Sequence, residues 1–510
     1  MDSKRDQVQA HMFMMGRLTS GMLRADPDSA ESPQGRTNRG IVIGIVIAVI
    51  VAAGAFVIGL ISPGTKGGWR EDGTLVVNKD TGSRYLYLSG RLRPLRNYTS
   101  AKLLLGKDAK TVSVGTKSLA GTPHGAPVGI PGAPDTLAGS GDLVSAPWEL
   151  CSTPGDDSGW VSTLAVGHTA SGTPLTKRQG LLVKGPDADR YLLWSGSKLQ
   201  LDTERGAAES LGYGSVAPLP VSASFLSSLP AGPVLTPRPV DGLGEPGPSL
   251  GGRPTRLGQM FKVAVTGART QMYVLTGKGL VPVTRTEVAL ALGDPKTREL
   301  AYQGARPTVT DVGAEVLGDH LAPVDAQADT GVGLPATPPE PVHPAADQGL
   351  CARFSAATSG RKGPSTSIAL AGTQDLGITA QPATDFLSAP CLPVDRITAA
   401  PGKAALVRAL SAAGGDLGST LYLVTDEGAK YRVADAEAAS ALGLDPSAAQ
   451  ELPSMLLAML PTGPDLSPKA AENGKAANTA ARCGKTNDAD SAKDAEPEAP
   501  SASASPPEKD

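Results

Sequence analysis

Apolar and polar positions follow three regimes along the chain. In the first, Val8, Met12, Met15 and Met22 recur at helical spacing with Phe13, Leu18 and Leu23 nearby, and Arg5, Arg17 and Arg24 mark the polar surroundings. Ser3-Lys4-Arg5-Asp6 has capping-box spacing ahead of that run, so a helix is predicted from Ser3 to Arg24. A helix this short and this exposed has no core of its own. It needs either an anionic membrane surface or a groove on a protein partner, and Asp2 and Asp6 dilute its charge enough to favour the protein. Ala25 to Gly40, polar and interrupted by Pro27 and Pro33, reads as a linker.

The second regime is Ile41 to Ile61, 21 residues without a charged, amide or hydroxyl side chain. As a helix they cover roughly 30 Å, the hydrocarbon thickness of a bilayer. A buried soluble helix is seldom this long. A cleaved signal peptide starts with a short basic segment rather than 40 mostly polar residues. The reading is one uncleaved membrane anchor. Basic residues near its ends are balanced, with Arg24, Arg36 and Arg39 before it and Lys66, Arg70 and Lys79 after it. Charge therefore does not orient it.

The third regime is a series of short apolar runs punctuated by glycine, and it repeats. Tyr85-Leu86-Tyr87-Leu88-Ser89-Gly90 leads to Leu105-Gly106, and a shift of 106 gives Tyr191-Leu192-Leu193-Trp194-Ser195-Gly196 leading to Leu211-Gly212. A shift of 187 gives Met272 to Gly277 leading to Leu292-Gly293, and a shift of 337 gives Tyr422 to Glu427 leading to Leu442-Gly443, with Gly428 supplying the turn glycine one place late. Each copy reads as a strand, a glycine turn, a second short strand and an Ala-rich short helix capped by glycine. Gly90, Gly196, Gly277 and Gly428 are the expected turn residues, and Gly106, Gly212, Gly293 and Gly443 the expected helix caps. A unit of about 25 residues cannot stand alone, so the copies pack on each other or on the spacers between them.

Composition sharpens this picture. Gly (61) and Pro (44) exceed a fifth of the chain and aromatics are 4%, which favours short strands and turns over long helices. The net charge of −3 carries no basic field for nucleic acid, and five His with four Cys in no CxxC spacing give no metal motif. Cys151, Cys351, Cys391 and Cys483 all follow the span. Their even number on one side points to disulfides in an oxidising compartment, which orients the anchor with the N-terminus cytoplasmic and the C-terminal region outside. Four cysteines allow three pairings. A Cys151–Cys351 bond would join the first and third spacers into one central domain, and a Cys391–Cys483 bond would pin a stretch of an Ala-, Ser- and Pro-rich tail.

Four stretches resemble EccB, the single-pass core component of the actinobacterial type VII (ESX) secretion membrane complex. They are Arg5-Asp6-Gln7 with His11, Phe13 and Arg17; Arg84 to Gly106; Pro401 to Val407, with Ala404 where the family pattern has Gly; and Leu421 to Asp426 followed by Leu460-Pro461-Thr462-Gly463-Pro464. The resemblance runs from Ser3 to about Ala471. It implies four repeats around a central domain with a Cys151–Cys351 disulfide, and partner binding through Arg5, Asp6, Gln7, His11, Phe13 and Arg17. It also implies the motor ATPase EccC, EccD, EccE and a mycosin protease as partners, several copies per complex, and export of small helical Trp-X-Gly proteins.

The expected fold is thus a single-pass membrane protein with an α+β extracytoplasmic region, four hairpin-plus-short-helix repeats flanking a β-rich central domain, elongated and pseudo-symmetric. The expected boundaries are helix and linker 1–40, span 41–61, repeat 1 at 62–110, a first central-domain segment 111–180, repeat 2 at 181–250, repeat 3 at 251–300, a second central-domain segment 301–410, repeat 4 at 411–465 and a disordered acidic tail 466–510.

Catalysis finds little support in the residues. The family is in some members described as ATP-hydrolysing, yet the one Gly-Lys-Thr, Gly484-Lys485-Thr486, lies in the tail with Thr479 at the first-glycine position of a P-loop. No GxSxG elbow occurs, Ser195 reads as a turn residue, His124 and His168 as loop residues, and Glu71, Asp72 and Asp80 as a solvated face. The sequence therefore predicts a structural scaffold of the secretion complex without catalytic residues. ATP hydrolysis, resting on the family description alone, and a cell-wall-binding module are the alternatives.

Overall fold

In the computed structural model, helix α1 (Lys4–Arg24) and helix α2 (Pro33–Ile61) precede a β-rich chain in which, among the described residues, ten short α-helices are interleaved. The structure describes residues 4–24, 33–61, 68–155, 159–264, 270–324, 331–356, 364–372, 386–410 and 416–478. Ser3, expected to cap α1, and Ala25 to Ser32 of the expected linker lie outside them. Pro33 to Gly40, also expected as linker, is helical. Pro33 stands at the helix start, where its missing N–H costs nothing, and the apolar run behind it propagates the helix backwards. Thr37–Val57 is apolar enough to cross a membrane, with a mean hydropathy of 2.9, and none of it is covered by protein.

The chain divides into two compact units, Met1–Leu92 with Lys110–His124, and Arg93–Ala109 with Gly125 onward. Helices α3 (Tyr98–Leu105) and α4 (Thr116–Leu119) come next in the chain, α3 in the second unit and α4 in the first.

The sheet that begins in the first unit defines a pattern. Its strands run in the order Arg91–Pro94, Arg84–Leu88, Thr74–Asn78, Thr111–Val114. The last pairs parallel to Thr74–Asn78 and the hairpin pairs antiparallel. A parallel return requires a crossover, which the helix after the hairpin supplies. Trp69, Val76, Leu92, Val114 and Leu119 form the apolar core of this unit.

The same order recurs three times in the second unit. One sheet runs Ser197–Gln200, Arg190–Trp194, Gln179–Lys184, Leu219–Pro220, with α5 (Ala207–Ser210) as its crossover and α6 (Ala223–Ser228) after it. The next runs Gly279–Val283, Gln271–Thr276, Met260–Val263, Val309–Val312, with α7 (Arg285–Gly293), α8 (Pro295–Leu300) and α9 (Glu315–His320). The last runs Lys430–Val433, Asp416–Val424, Ala405–Leu410, Gln450–Pro453, with α10 (Ala436–Leu442), α11 (Ser454–Ala458) and α12 (Pro468–Asn473). In each, the final strand is parallel to the first.

Each unit is therefore larger than the hairpin and helix read from the sequence. Thr111–Val114, expected in the central domain, is the closing strand of the first sheet; Val309–Val312 and Ala405–Leu410, also expected there, belong to the third and fourth sheets. The outer strands carry no turn glycine in register with the hairpin, so a pattern anchored on the hairpin stops short of them. The expected tail also begins too early. Ser467 caps α12 and Pro468 opens it, and Ala470 and Ala471 are buried against α3. Residues from Thr479 onward lie outside the described chain.

A six-stranded sheet occupies the centre of the second unit, in the order Arg396–Ala399, Trp160–Val166, Trp148–Pro154, Gln348–Ser355, Ser365–Gly372, Gly172–Pro174. Trp148, Leu150, Leu350, Ala352 and Phe354 fill one core that α6 and α11 also enter through Phe225, Leu226, Leu456 and Leu457.

Sheets two and three meet through α5 and α7. Ala207, Ala208 and Leu290 are buried there, and Gly293 lies so close to Ser210 that a Cβ would fall 1.9 Å from its Oγ. Arg205 closes the junction, its guanidinium donating to both carboxylate oxygens of buried Asp294 at 3.1 and 2.6 Å. The same carboxylate caps α8 through Thr297. Burial alone would push this carboxyl up; Arg205 and the Thr297 donors outweigh it and hold it below its ordinary 3.8. Replacing Asp294 with Ala strands the guanidinium and is expected to cost about 3 kcal/mol in urea unfolding at neutral pH. A lowered folded pKa contributes stability above the unfolded value, lost as pH falls through the folded one. The difference between wild type and D294A should therefore be constant above about pH 4 and shrink below it.

Candidate functional site

The first candidate surface is α1. Val8, Met12, Phe13, Met14, Met15, Leu18 and Met22 are each more than half exposed. The face predicted through Val8, Met12, Met15 and Met22 is only a portion of the apolar surface. Ala10, Phe13, Met14, Arg17, Leu18, Gly21 and Met22 form an unbroken ladder of three- and four-residue steps and line a shallow concavity. Of the residues singled out by resemblance, Phe13 and Arg17 stand in this concavity. Asp6 continues the ladder one turn earlier, Gln7 and His11 lie two turns before Met14 and Leu18, and Arg5 lies on another side; all are exposed. The Thr19 hydroxyl donates back to the Met15 carbonyl at 2.6 Å, so it is spent within the helix. What remains is an adaptable, thioether-rich surface with a cationic rim.

The second candidate is the middle of the central sheet. Cys151 and Cys351 lie directly opposite each other on neighbouring antiparallel strands, Cα atoms 4.0 Å apart, and are joined by a disulfide. One register step away on the same face, Glu149 opposes Arg353, and its buried carboxylate accepts from Arg353 Nε and Nη2 at 3.2 and 3.1 Å and from the Ala170 N–H at 2.6 Å. Arg353 Nη2 donates also to the Ala170 carbonyl. Glu149, Cys151 and Cys351 bring three potential metal-binding atoms within 4.8 Å of each other, but both sulfurs are joined and the carboxylate is committed to Arg353 and Ala170. This arrangement braces; it holds no free ligand set. Nothing in the sequence marked Glu149–Arg353. The signal was the equal offset of two residues from each cysteine, legible only once the pairing is known. Cys391 is also disulfide-bonded, and Cys483, its expected partner, lies outside the described residues.

The glycines of the repeated unit behave unequally. Ser89-Gly90 and Ser195-Gly196 both have positive φ at both positions, the hairpin geometry that matches strand twist. Gly106, Gly212, Gly428 and Gly443 are also left-handed in φ. Gly277 sits in its turn without a positive φ, which moves to Gly279, and Gly293 is the last residue of α7 rather than its cap. Asp294 takes the capping place there because it opens α8 immediately.

The residues weighed for chemistry are structurally engaged. Ser195 is the turn residue described above. The His124 ring lies 5.7 Å from Tyr85, and His168 sits in the loop after Trp160–Val166. Glu71 pairs with Lys110 and Asp72 accepts from the Ser89 N–H. The Thr116 backbone N–H and hydroxyl hold the Asp80 carboxyl below the usual range. These acids thus tie turns together rather than forming only a solvated face. Gly484-Lys485-Thr486 lies outside the described residues.

Against known proteins, the profile of the family described as "Type VII secretion system ESX-1, transport TM domain B" matches residues 2–478. The chain is similar to the protein named ESX-2 secretion system ATPase EccB2 of Mycobacterium tuberculosis, with 28% identity over 490 residues covering 92% of this chain and 94% of the relative. It is similar as well to ESX-1 secretion system ATPase EccB1 of the same organism, with 32% identity over 295 residues, 56% of this chain and 60% of the relative. Among solved structures, a chain of an intact ESX-5 inner membrane complex aligns with a TM-score of 0.62 at 22% identity, covering 92% of this chain and 95% of that one. A chain of an EccB3 dimer from the ESX-3 core complex aligns at 0.63 and 23%, covering 78% and 99%. At such identities the structures speak for the fold.

The central brace makes its own prediction. Cys351→Ser releases a crosslink between residues 200 apart and is expected to cost about 2–5 kcal/mol in chemical unfolding of the full chain in micelles. Glu149→Ala should cost a comparable amount, about 3–5 kcal/mol, by leaving Arg353 unpaired. Wild-type midpoints for both would refute the bracing role.

Proposed function

The chain belongs to the EccB family of the type VII secretion system, and from that premise we propose that it is the structural subunit that ties the membrane and cytoplasmic portions of an ESX membrane complex to its outer assembly. The family is a component of that complex, and one apolar helix with a large β-rich region is the architecture such a tie requires. The observation that carries the reading is the sequence of surfaces along the chain. An exposed methionine-rich helix, α1, comes just before an exposed apolar helix, α2, and a body braced by a disulfide follows. Disulfides after α2 support a cytoplasmic α1 and an extracytoplasmic body. The four sheets of common strand order are read as copies of one unit.

In this reading α1 grips a cytoplasmic or membrane partner through Phe13, Met14, Arg17 and Leu18, with EccC and EccD the candidates that the family resemblance supplies. The outer sheets face EccE, the mycosin protease and further copies of this chain. Small helical Trp-X-Gly proteins would be the cargo of the complex, not ligands of this subunit alone. A second reading, ATP hydrolysis by this chain, draws on the names of the relatives. Hydrolysis by the purified full chain that a single substitution abolishes would carry it.

Removal of Lys4 to Arg24, or the double substitution Phe13→Glu with Met14→Glu, tests the grip. Both should leave the chain in the membrane and the central disulfide formed while lowering recovery of the other subunits at least about tenfold, the effect of losing two apolar anchors from an interface. Recovery of an intact complex with either variant would sink the α1 component of the proposal.

A further inference from the structure

The segment Leu460-Pro461-Thr462-Gly463-Pro464 has a counterpart, Leu229-Pro230-Ala231-Gly232-Pro233, and the two are built alike. In the fourth sheet the Lys430 N–H donates to the Pro461 carbonyl at 2.9 Å and the Gly463 N–H to the Lys430 carbonyl at 2.9 Å. In the second sheet the Lys198 N–H donates to Pro230 at 2.9 Å and Gly232 to Lys198 at 2.8 Å. Both glycines lie where a side chain has no room. A Cβ at Gly463 would fall 2.1 Å from the Tyr431 ring, and one at Gly232 would fall 3.0 Å from Leu199 Cγ.

The lysine side chains repeat the match. Lys198 Nζ donates to the Leu226 carbonyl at 2.6 Å, and Lys430 Nζ donates to the Leu457 carbonyl and, at 3.2 Å, to Leu460. Leu226 and Leu457 occupy the same place, four residues before the proline, near the carbonyl ends of α6 and α11. A cation suits that negative end of a helix, and it adds to the Leu229 and Leu460 N–H groups that the Leu226 and Leu457 carbonyls already accept at 3.2 Å. The two helices touch each other and share the core of the central sheet. The first and third sheets carry Leu92 and Leu280 at the lysine position, and their segments Thr122-Pro123-His124-Gly125-Ala126 and His320-Leu321-Ala322-Pro323 lack the Leu-Pro-x-Gly-Pro pattern. Their short helices, α4 and α9, contribute Leu119 and Val316 to separate cores.

We propose that Lys198 and Lys430 are paired clasps: by holding the carbonyl ends of α6 and α11, they keep the Leu-Pro-x-Gly-Pro segments seated on the central sheet, and opening one frees its sheet to move as a unit. The clasps divide the copies into two kinds, sheets two and four fastened to the centre by a half-buried cation, sheets one and three with leucine in its place. Burial pulls the Lys430 ammonium down to about 8, and Lys198 is lowered for the same reason. Both half-buried cations have exchanged part of their water for helix carbonyls, which is the cost a clasp must bear.

Hydrogen exchange on the full-length chain in micelles tests this with Lys198→Leu, Lys430→Leu, the double variant and Lys430→Arg. Leucine keeps apolar bulk and is what the other two sheets carry. Each leucine variant should raise exchange across its own helix and Leu-Pro-x-Gly-Pro segment at least about tenfold, the loss of one or two charged hydrogen bonds. Exchange at α5 and α7 should stay as in wild type, and the double variant should exceed the sum of the singles because the helices touch. Lys430→Arg, which keeps the charge, should remain within about threefold of wild type. Wild-type exchange in the leucine variants, a uniform rise over all four sheets, or an arginine variant as loose as the leucine one would each overturn the proposal.

Discussion

The covalent pairing of Cys151 with Cys351 sets two strands 200 residues apart in register at the centre of one sheet. Because residues alternate faces along a strand, this one pairing also aligns Glu149 with Arg353 and Leu150 with Ala352, so the ion pair shares a face with the cystine and the apolar pair enters the core opposite it. The chain therefore traverses the same order twice. A four-stranded sheet leads to a hairpin of the central sheet and on to a sheet that repeats its strand order, and then the same succession of sheet, hairpin and sheet runs again.

Within that succession, buried charge appears where copies must be joined. Arg205–Asp294 lies at the junction of sheets two and three, Glu149–Arg353 at the junction of the two halves of the central sheet, and Lys198 and Lys430 where sheets meet that centre. Each charge is hydrogen-bonded, which is the condition under which burial of a charge is tolerable. At the junction of sheets two and three the closest apolar contacts are made by small residues, Ala207, Ala208 and Gly293, which give close approach but little directional preference. The ion pairs supply direction.

Much of this was legible in the sequence, for identifiable reasons. The span at Ile41–Ile61 shows itself because nothing in water explains 21 unbroken apolar residues. The hairpins show themselves because Ser-Gly at Ser89-Gly90 and Ser195-Gly196 is the residue pair that accepts two successive positive φ values. The closing strands were hidden. Leu219–Pro220 is two residues long and Thr111–Val114 is mostly exposed, so neither carries a hydrophobic alternation long enough to read. Glu149–Arg353 and the lysine contacts were hidden because each joins residues tens to hundreds of positions apart, a relation that only the fold creates. α12 was hidden by composition, its Ser467-Pro468 start lying at the edge of a tail rich in Ala, Ser and Pro. The second Leu-Pro-x-Gly-Pro segment was in plain view and required only that the C-terminal signature be sought upstream.

One margin of the central sheet bears on how such a molecule can be crowded among copies of itself. The outermost strand on that side, Gly172–Pro174, is three residues long, exposed at each position, and ends in an imide that has no N–H to give. Another backbone laid along it would find almost no ladder to extend. Sheets of adjacent molecules are thus discouraged from fusing there into one continuous ribbon, and contact on that side is left to side chains and loops. Joints of that kind can be adjusted or released without unpicking a fold.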